Sequence, residues 1–228
     1  MAFKETCIIA VEIGTNAVRV VAFSKNGATL ASMKGSYPTF HPQPDYSEQD
    51  PEQIFITMLY VLKNLLNEHI HPQKLMVSHI CFSASMHSVL AIDKSGVPLG
   101  NAVIWADNRA KLETEKLRGT PEGKVIYEAT GTPLHPMSPL FKIAWFRNND
   151  KARYDQTSKF IQLKTYIIHQ LTGAKAVQVL KDIQGKSGAP GTAPTSSDDI
   201  KNRFFFLLFA LPVIQDLYHV LVIMLYIF

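Results

Sequence analysis

Apolar residues fall into short blocks over the first third of the chain and recur at helical spacing afterwards. Cys7-Ile8-Ile9-Ala10-Val11-Glu12-Ile13 and Ala17-Val18-Arg19-Val20-Val21-Ala22-Phe23 are two such blocks, separated by Gly14-Thr15-Asn16. Strand-like runs on either side of Gly and Asn signal a hairpin, because both residues tolerate the positive φ that tight turns demand. Lys25-Asn26-Gly27 marks a second turn and Ala28 to Met33 a third strand, whereas residues 34–49, with Pro38, Pro42 and Pro44, read as a loop. Asp50-Pro51-Glu52-Gln53 then combines an N-cap, a proline at the first helical position and a capping-box partner. Ile54, Phe55, Met58, Leu59, Leu62, Leu65 and Leu66 follow at a 3.6-residue period, which predicts a helix over 51–69 with one buried face.

Met76 to Phe82, Val89 to Ile92 and Ala102 to Trp105 are three further strand candidates, with a turn at Lys94-Ser95-Gly96. From Asp107 the pattern turns helical, predicting helices over 107–118, 121–129, 138–148 and 159–171, the last stopped by Gly173. Strand hairpins followed by helices in this order predict an α/β domain, a mixed sheet flanked by helices, over residues 1–176. Residues 177–203 are rich in Gly, Ser, Pro and Thr and read as a disordered linker. Residues 204–228 form an apolar tail, unbroken from Phe204 to Ile214 and then interrupted by Gln215, Asp216 and His219. Each apolar half is too short to span a bilayer, and a central Asp costs about 2.5–3.5 kcal/mol on insertion. The tail therefore reads as a sticky segment, with a membrane anchor as the lesser reading.

At 228 residues, 46% hydrophobic and 18% charged, the chain has the composition of a folded globular protein. The formal charge of +4 is spread without a basic run, so no nucleic-acid partner is expected. Cys7 and Cys81 both fall in strands predicted to be buried, as free core thiols of a reducing compartment do. Neither Cys nor His shows metal-ligand spacing, and His41, His69, His71, His135 and His169 read as structural or surface residues. The apolar stretch after Lys4 is short and broken by Glu12, unlike a signal peptide, so a cytoplasmic location is expected. A homo-oligomer is allowed.

Candidate chemistry gathers at three places. The Gly14-Thr15-Asn16 turn offers backbone N–H groups, the Thr15 hydroxyl and, one strand position before Ile13, the Glu12 carboxylate. Such groups can hold a phosphate and Mg²⁺, although any buried hairpin would look similar. Ser85-Met86-His87-Ser88 closes one predicted strand and Trp105-Ala106-Asp107-Asn108-Arg109 another, and strand ends are where α/β sheets bind ligands. With Tyr46-Ser47-Glu48-Gln49-Asp50-Pro51 before the first helix, these segments make the chain resemble the FGGY family of carbohydrate kinases. Met-His-Ser and Trp-Ala-Asp-x-Arg are most similar to its gluconokinase branch, and the resemblance runs from about Thr6 to Gly173.

The resemblance implies a ribonuclease-H-like fold of the actin, hexokinase and Hsp70 type, in which two domains close over ATP and a sugar. It assigns Glu12, Gly14, Thr15 and Asn16 to the nucleotide phosphates, with Glu12 at Mg²⁺. It assigns Met86, His87, Trp105, Asp107 and Arg109 to the sugar, with Trp105 as a wall and Arg109 positioned to pair bidentately with a sugar carboxylate. His87 and Arg109 are then expected to face a cleft near the Gly14-Thr15 turn. Each residue also has a plainer reading: Trp105 as core, Asp107 as a helix cap, Arg109 as a solvated first-turn residue, His87 as a polar strand end, Met86 as packing. Two departures stand out. Glu12 replaces the family's usual Asp, and a reacting geometry displaced by about 1 Å can cost on the order of 10²-fold in rate. The family's catalytic Asp base lies later than the matched region, and Asp182, Asp198, Asp199 and Asp216 sit in unrelated contexts. The chain is thus expected to be a partial, inactive carbohydrate kinase acting on gluconate. Xylulose or another polyol is the alternative substrate, and a non-catalytic sugar-binding or interaction module the alternative function.

Overall fold

The computed structural model of the protein describes residues 5–172. The linker and tail readings, and the four later aspartates, lie outside them. The described residues fall into two compact units. The first comprises the chain up to Tyr37, Glu52–Ala84 and the residues from Lys164; the second comprises Pro38–Pro51 and Ser85–Leu163.

The first unit is built on a four-stranded mixed sheet. Its strands are β1 (Glu5–Ile13), β2 (Ala17–Ser24), β3 (Thr29–Ser36) and β5 (Leu75–Ala84), in the order β3-β2-β1-β5. β1 pairs antiparallel with β2 and parallel with β5, with a register shift at Cys7/Ile8 where the Ser78 hydroxyl donates to the Cys7 carbonyl. The alternation read from the sequence is a one-sided strand: Cys7, Ile9, Val11 and Ile13 are buried, and Glu12 between them is exposed. Val18, Val20 and Ala22 of β2 are buried completely. Helix α1 (Pro51–Leu65) buries Ile54, Phe55, Met58, Leu62 and Leu65. It comes so close to β3 that a Cβ on Gly35 would lie 2.6 Å from the Val61 side chain. Helix α6 (Leu163–Thr172) adds Tyr166, Ile167 and Leu171 to the core, and the Tyr166 hydroxyl donates to Glu52 at 3.0 Å.

The second unit joins two short antiparallel pairs. β4 (Glu48–Gln49) pairs with β7 (Ala102–Val103), and β6 (Leu90–Ile92) with β8 (Lys159–Ile161). Reciprocal 2.8 Å hydrogen bonds between Val89 and Val103 link them. Around them lie α2 (Lys111–Leu117), α3 (Pro121–Thr130), α4 (Pro139–Asn149) and α5 (Lys151–Gln156). Val89, Val103 and Phe146 form a buried cluster flanked by Ile143, Trp145, Tyr154 and Phe160. Both ends of α3 are capped: the Thr120 hydroxyl accepts from Gly123 N–H at 3.1 Å, and Gly131 closes the helix at φ 65°.

Several expectations are corrected. β3 extends to Ser36 and residues 48–49 form a strand, both inside the region read as a loop. The helix read over 51–69 ends at Leu65 and passes into a π-helical turn, Leu66–Ile70. The helix placed at 107–118 starts only at Lys111, because the Asp107 carboxylate is used by Ser47 and Arg109. The helix read over 159–171 is a strand followed by α6, since Lys159, Phe160 and Ile161 pair with Ile92, Ala91 and Leu90. Cys81 is exposed rather than buried, on a strand that has a neighbour on one side only among the described residues. Among the described residues no helix is long and apolar enough to cross a membrane.

Candidate active site

In the first unit, the Gly14–Asn16 turn is closed by Gly14 N–H donating to the Ala17 carbonyl at 3.0 Å. A Cβ on Gly14 would lie 3.3 Å from that same carbonyl oxygen, so the turn tolerates a side chain there poorly. Tyr37, just after β3, braces the turn twice. Its N–H donates to the Asn16 carbonyl at 3.2 Å, and its hydroxyl donates to the Gly14 carbonyl. Burial first, and the Glu12 carboxylate second, push the Tyr37 phenol well above its ordinary range, so it stays a neutral donor. No sequence signal singled Tyr37 out; the brace depends on the β2–β3 register that brings Ser36 opposite Ala17.

Glu12 lies on the exposed face of β1 directly across from Arg19, whose guanidinium is 3.7 Å away. Its side chain is 58% exposed and open to a further ligand. Mg²⁺ keeps most of its waters and takes one or two carboxylates plus phosphate oxygens, so a single exposed carboxylate suits it. Glu12 is the group of this turn that could serve a hydrated cation as an oxygen ligand. Among the described residues no cluster of three or more His, Cys, Asp or Glu is placed to cage one.

In the second unit the conspicuous feature is a buried charge cluster. Asp107 has no exposed surface; its Oδ2 accepts from Ser47 N–H at 2.6 Å, and its Oδ1 accepts from Arg109 N–H at 3.0 Å. Arg109 Nε and its terminal nitrogen donate to Asp107 at 2.9 and 2.8 Å, and the same terminal nitrogen donates to Glu48 Oε1 at 2.7 Å. The guanidinium stacks 4.0 Å from the Tyr46 ring and 5.0 Å from that of Trp145. Burial alone would lower the Arg109 pKa, but the hydrogen bonds to Asp107 and Glu48 outweigh it and hold the pKa above its ordinary value. Arg109 thus makes the bidentate carboxylate pairing its chemistry favours, but with Asp107 and inside the protein.

Met86 and Trp105, in contrast, are 50% and 45% exposed. His87 is half-buried at φ 62°, a left-handed conformation uncommon for a residue with a side chain. It lines a cavity of about 270 Å³ with Thr130, Thr132, Ser138 and Phe141. Burial, then Lys142 and His135, hold the His87 pKa below its ordinary value, so the imidazole is neutral near pH 7. Lys142, on α4, is the residue that the sequence reading missed. It is fully buried, and its Nζ donates to the His87 carbonyl at 2.8 Å and to the Ile104 carbonyl at 2.7 Å. Burial pushes its pKa down to about 7, with Asp107 opposing and Arg109 adding to the effect. The available signal was a lysine inside the apolar run Leu140-Phe141-Lys142-Ile143.

The Glu12–Asn16 group belongs to the first unit and the Met86–Arg109 group to the second. The sequence model of the N-terminal domain of the FGGY family of carbohydrate kinases matches residues 7–183. The chain belongs to that family. It is 38% identical to the gluconokinase of Bacillus subtilis (strain 168) over 72% of this chain and 31% of that protein. It is 32% identical to the xylulose kinase of Staphylococcus xylosus over 73% of this chain and 34% of that protein. Among solved structures, gluconate kinase from Lactobacillus acidophilus superposes with a TM-score of 0.68 at 30% identity, covering 72% of this chain and 33% of that one. The chain thus spans about a third of the length of the curated relatives it matches. The actin- and hexokinase-like fold of the family agrees with the mixed sheet and flanking helices of the described residues.

Proposed function

We propose that this chain is the sugar-recognising part of an ATP-dependent carbohydrate kinase of the cytoplasm and that gluconate is its substrate. One observation carries the reading. The carbonyls of His87 and Ile104 both lie within 2.8 Å of a single nitrogen, so the Met86-His87 and Trp105 segments meet in the folded chain. Exposed Trp105 and Met86 suit the carbon skeleton of a polyol, and the neutral His87 imidazole can donate to one hydroxyl or accept from another. Asp107 and Arg109 act from beneath, holding the 104–109 segment to the Tyr46–Glu48 segment. Glu12, Gly14, Thr15 and Asn16 are assigned to the phosphates of ATP, and Glu12 to Mg²⁺. Bound Mg²⁺ supplies charge neutralisation on the phosphates, and the chain's own part in phosphoryl transfer is positioning.

The resemblance to gluconokinases supports gluconate, and the match to the Staphylococcus xylosus xylulose kinase makes xylulose the second candidate. Titration calorimetry with each compound, with and without ATP and Mg²⁺, tests the reading. Saturable gluconate binding that Trp105→Ala abolishes is the expected result; heats indifferent to Trp105→Ala contradict it. An ADP-coupled assay separates the two classes of function. Turnover lost in Glu12→Ala marks a kinase, and binding without turnover marks a sugar-binding module.

A further inference from the structure

Lys142 lies on α4 between Phe141 and Ile143 with no exposed surface. A methionine would fill similar space without the desolvation that an amine suffers there. The amine must therefore be doing something that an apolar chain cannot. Its two acceptors belong to separate segments: the His87 carbonyl in the turn after β5, and the Ile104 carbonyl immediately before Trp105. The His87 residue whose carbonyl it takes is held at φ 62°. A histidine keeps that conformation only where its surroundings fix it. The Val89–Val103 pair and the bond from Leu163 N–H to the buried Ser88 hydroxyl anchor the chain just beyond the turn. Lys142 reaches the turn itself and ties it to the second segment.

We propose that Lys142 is the positioning residue of the polyol site: its amine clamps the His87 and Ile104 carbonyls and thereby sets Met86, His87 and Trp105 to face one ligand. The proposal rests on the carbohydrate-kinase reading of those three residues. Lys142 touches no substrate in this scheme; it acts through the backbone of the residues that do. The clamp explains a buried lysine that stability alone would disfavour, and the left-handed His87 beside it.

The test uses the full 228-residue chain and three variants, Lys142→Met, Lys142→Arg and Phe146→Leu. Phe146 lies on the same helix in the buried Val89–Val103 cluster and is bonded to neither carbonyl. Gluconate and xylulose affinities are read by saturation-transfer NMR, thermal stability by melting, and the backbone of residues 86–88 and 104–106 by amide and Cα chemical shifts. Lys142→Met is expected to weaken polyol binding at least ten-fold and to shift the His87 signals out of the left-handed range. Phe146→Leu is expected to melt lower while binding within two-fold of the parent. A Lys142→Met variant that binds within two-fold of the parent overturns the proposal. So does a series in which binding falls in proportion to melting temperature for both positions.

Should Lys142→Met not fold, Lys142→Arg is decisive. It keeps N–H donors but moves them, so displaced 87–88 and 104–105 amides with at least three-fold weaker binding are expected. Unmoved amides and unchanged affinity contradict the clamp. If the parent binds neither polyol, the kinase reading of the pocket fails on its own, and the clamp is judged by the backbone. A His87 conformation that survives loss of the amine overturns it, and one that relaxes supports it.

Discussion

Arg109 shows how far a residue's chemistry can be read without its partners. Its affinity for a carboxylate was legible from Asp107-Asn108-Arg109, but the acceptors are Asp107 and the distant Glu48, brought near by the pairing of β4 with β7. Breaking a buried pair strands the remaining charge, which is strongly destabilising. Arg109→Leu is therefore expected to cost about 3–5 kcal/mol of unfolding free energy in urea titration, and a loss below about 1 kcal/mol would mean that the cluster is not tightly coupled. The two cysteines give a second residue-scale prediction. Cys81 is exposed, whereas Cys7 is buried with its thiol pKa pushed up by that burial. An aromatic disulfide reagent should titrate one thiol of the native chain rapidly and the second only after denaturation. Rapid reaction of both would contradict the buried β1 face.

The apolar run around Lys142 signals its burial, but not its role, because its partners are backbone carbonyls, which any sequence supplies. Its pH signature is nonetheless specific. Folding lowers its pKa from the ordinary 10.5 to about 7, so between those values the unfolded chain binds a proton that the folded chain does not. Stability from this group therefore rises with pH across roughly 7 to 10.5 and is flat below, with a span on the order of a few kcal/mol. Lys142→Met should remove that slope in urea midpoints measured from pH 7 to pH 10. An unchanged slope would place the titration elsewhere.

At the scale of elements, local signals sufficed where a segment's own residues decide its structure. The β1–β2 hairpin and α1 follow from turn residues, periodicity and an Asp-Pro start. They failed where a strand exists only because of a distant partner. β4 and β8 are each three residues or fewer, and β8 shares the apolar spacing of α6. A period read over that window continues smoothly from Phe160 to Leu171, and only pairing with β6 turns Lys159–Ile161 into a strand. Gly35 carries the prediction at this scale, because β3 and α1 meet over it with no room for a methyl group. Gly35→Ala should lower stability by about 1–3 kcal/mol, the usual cost of overpacking. A stability gain would show that α1 can move away without loss.

At the scale of the molecule, the described chain carries two groups of candidate residues on two compact units: the turn braced by Tyr37, proposed for phosphates, and the Met86–Trp105 segments beside buried Lys142, Asp107 and Arg109, proposed for a polyol. The resemblance read from four short segments covered nearly the span that the family model matches. Which candidate residues are open to solvent was not legible, since exposure of Met86 and Trp105 and burial of Asp107 and Arg109 follow from tertiary packing. The central claim is that the Met86-His87 and Trp105 segments form a polyol-binding surface. The most direct measurement is gluconate and xylulose titration into uniformly ¹⁵N-labelled protein, following backbone and indole resonances. Saturable shifts confined to residues 86–88, 104–106 and the Trp105 indole, absent with an uncharged, non-hydroxylated control of similar size, are the predicted result. Shifts that never saturate, or that fall elsewhere while the Trp105 indole stays still, would contradict the account.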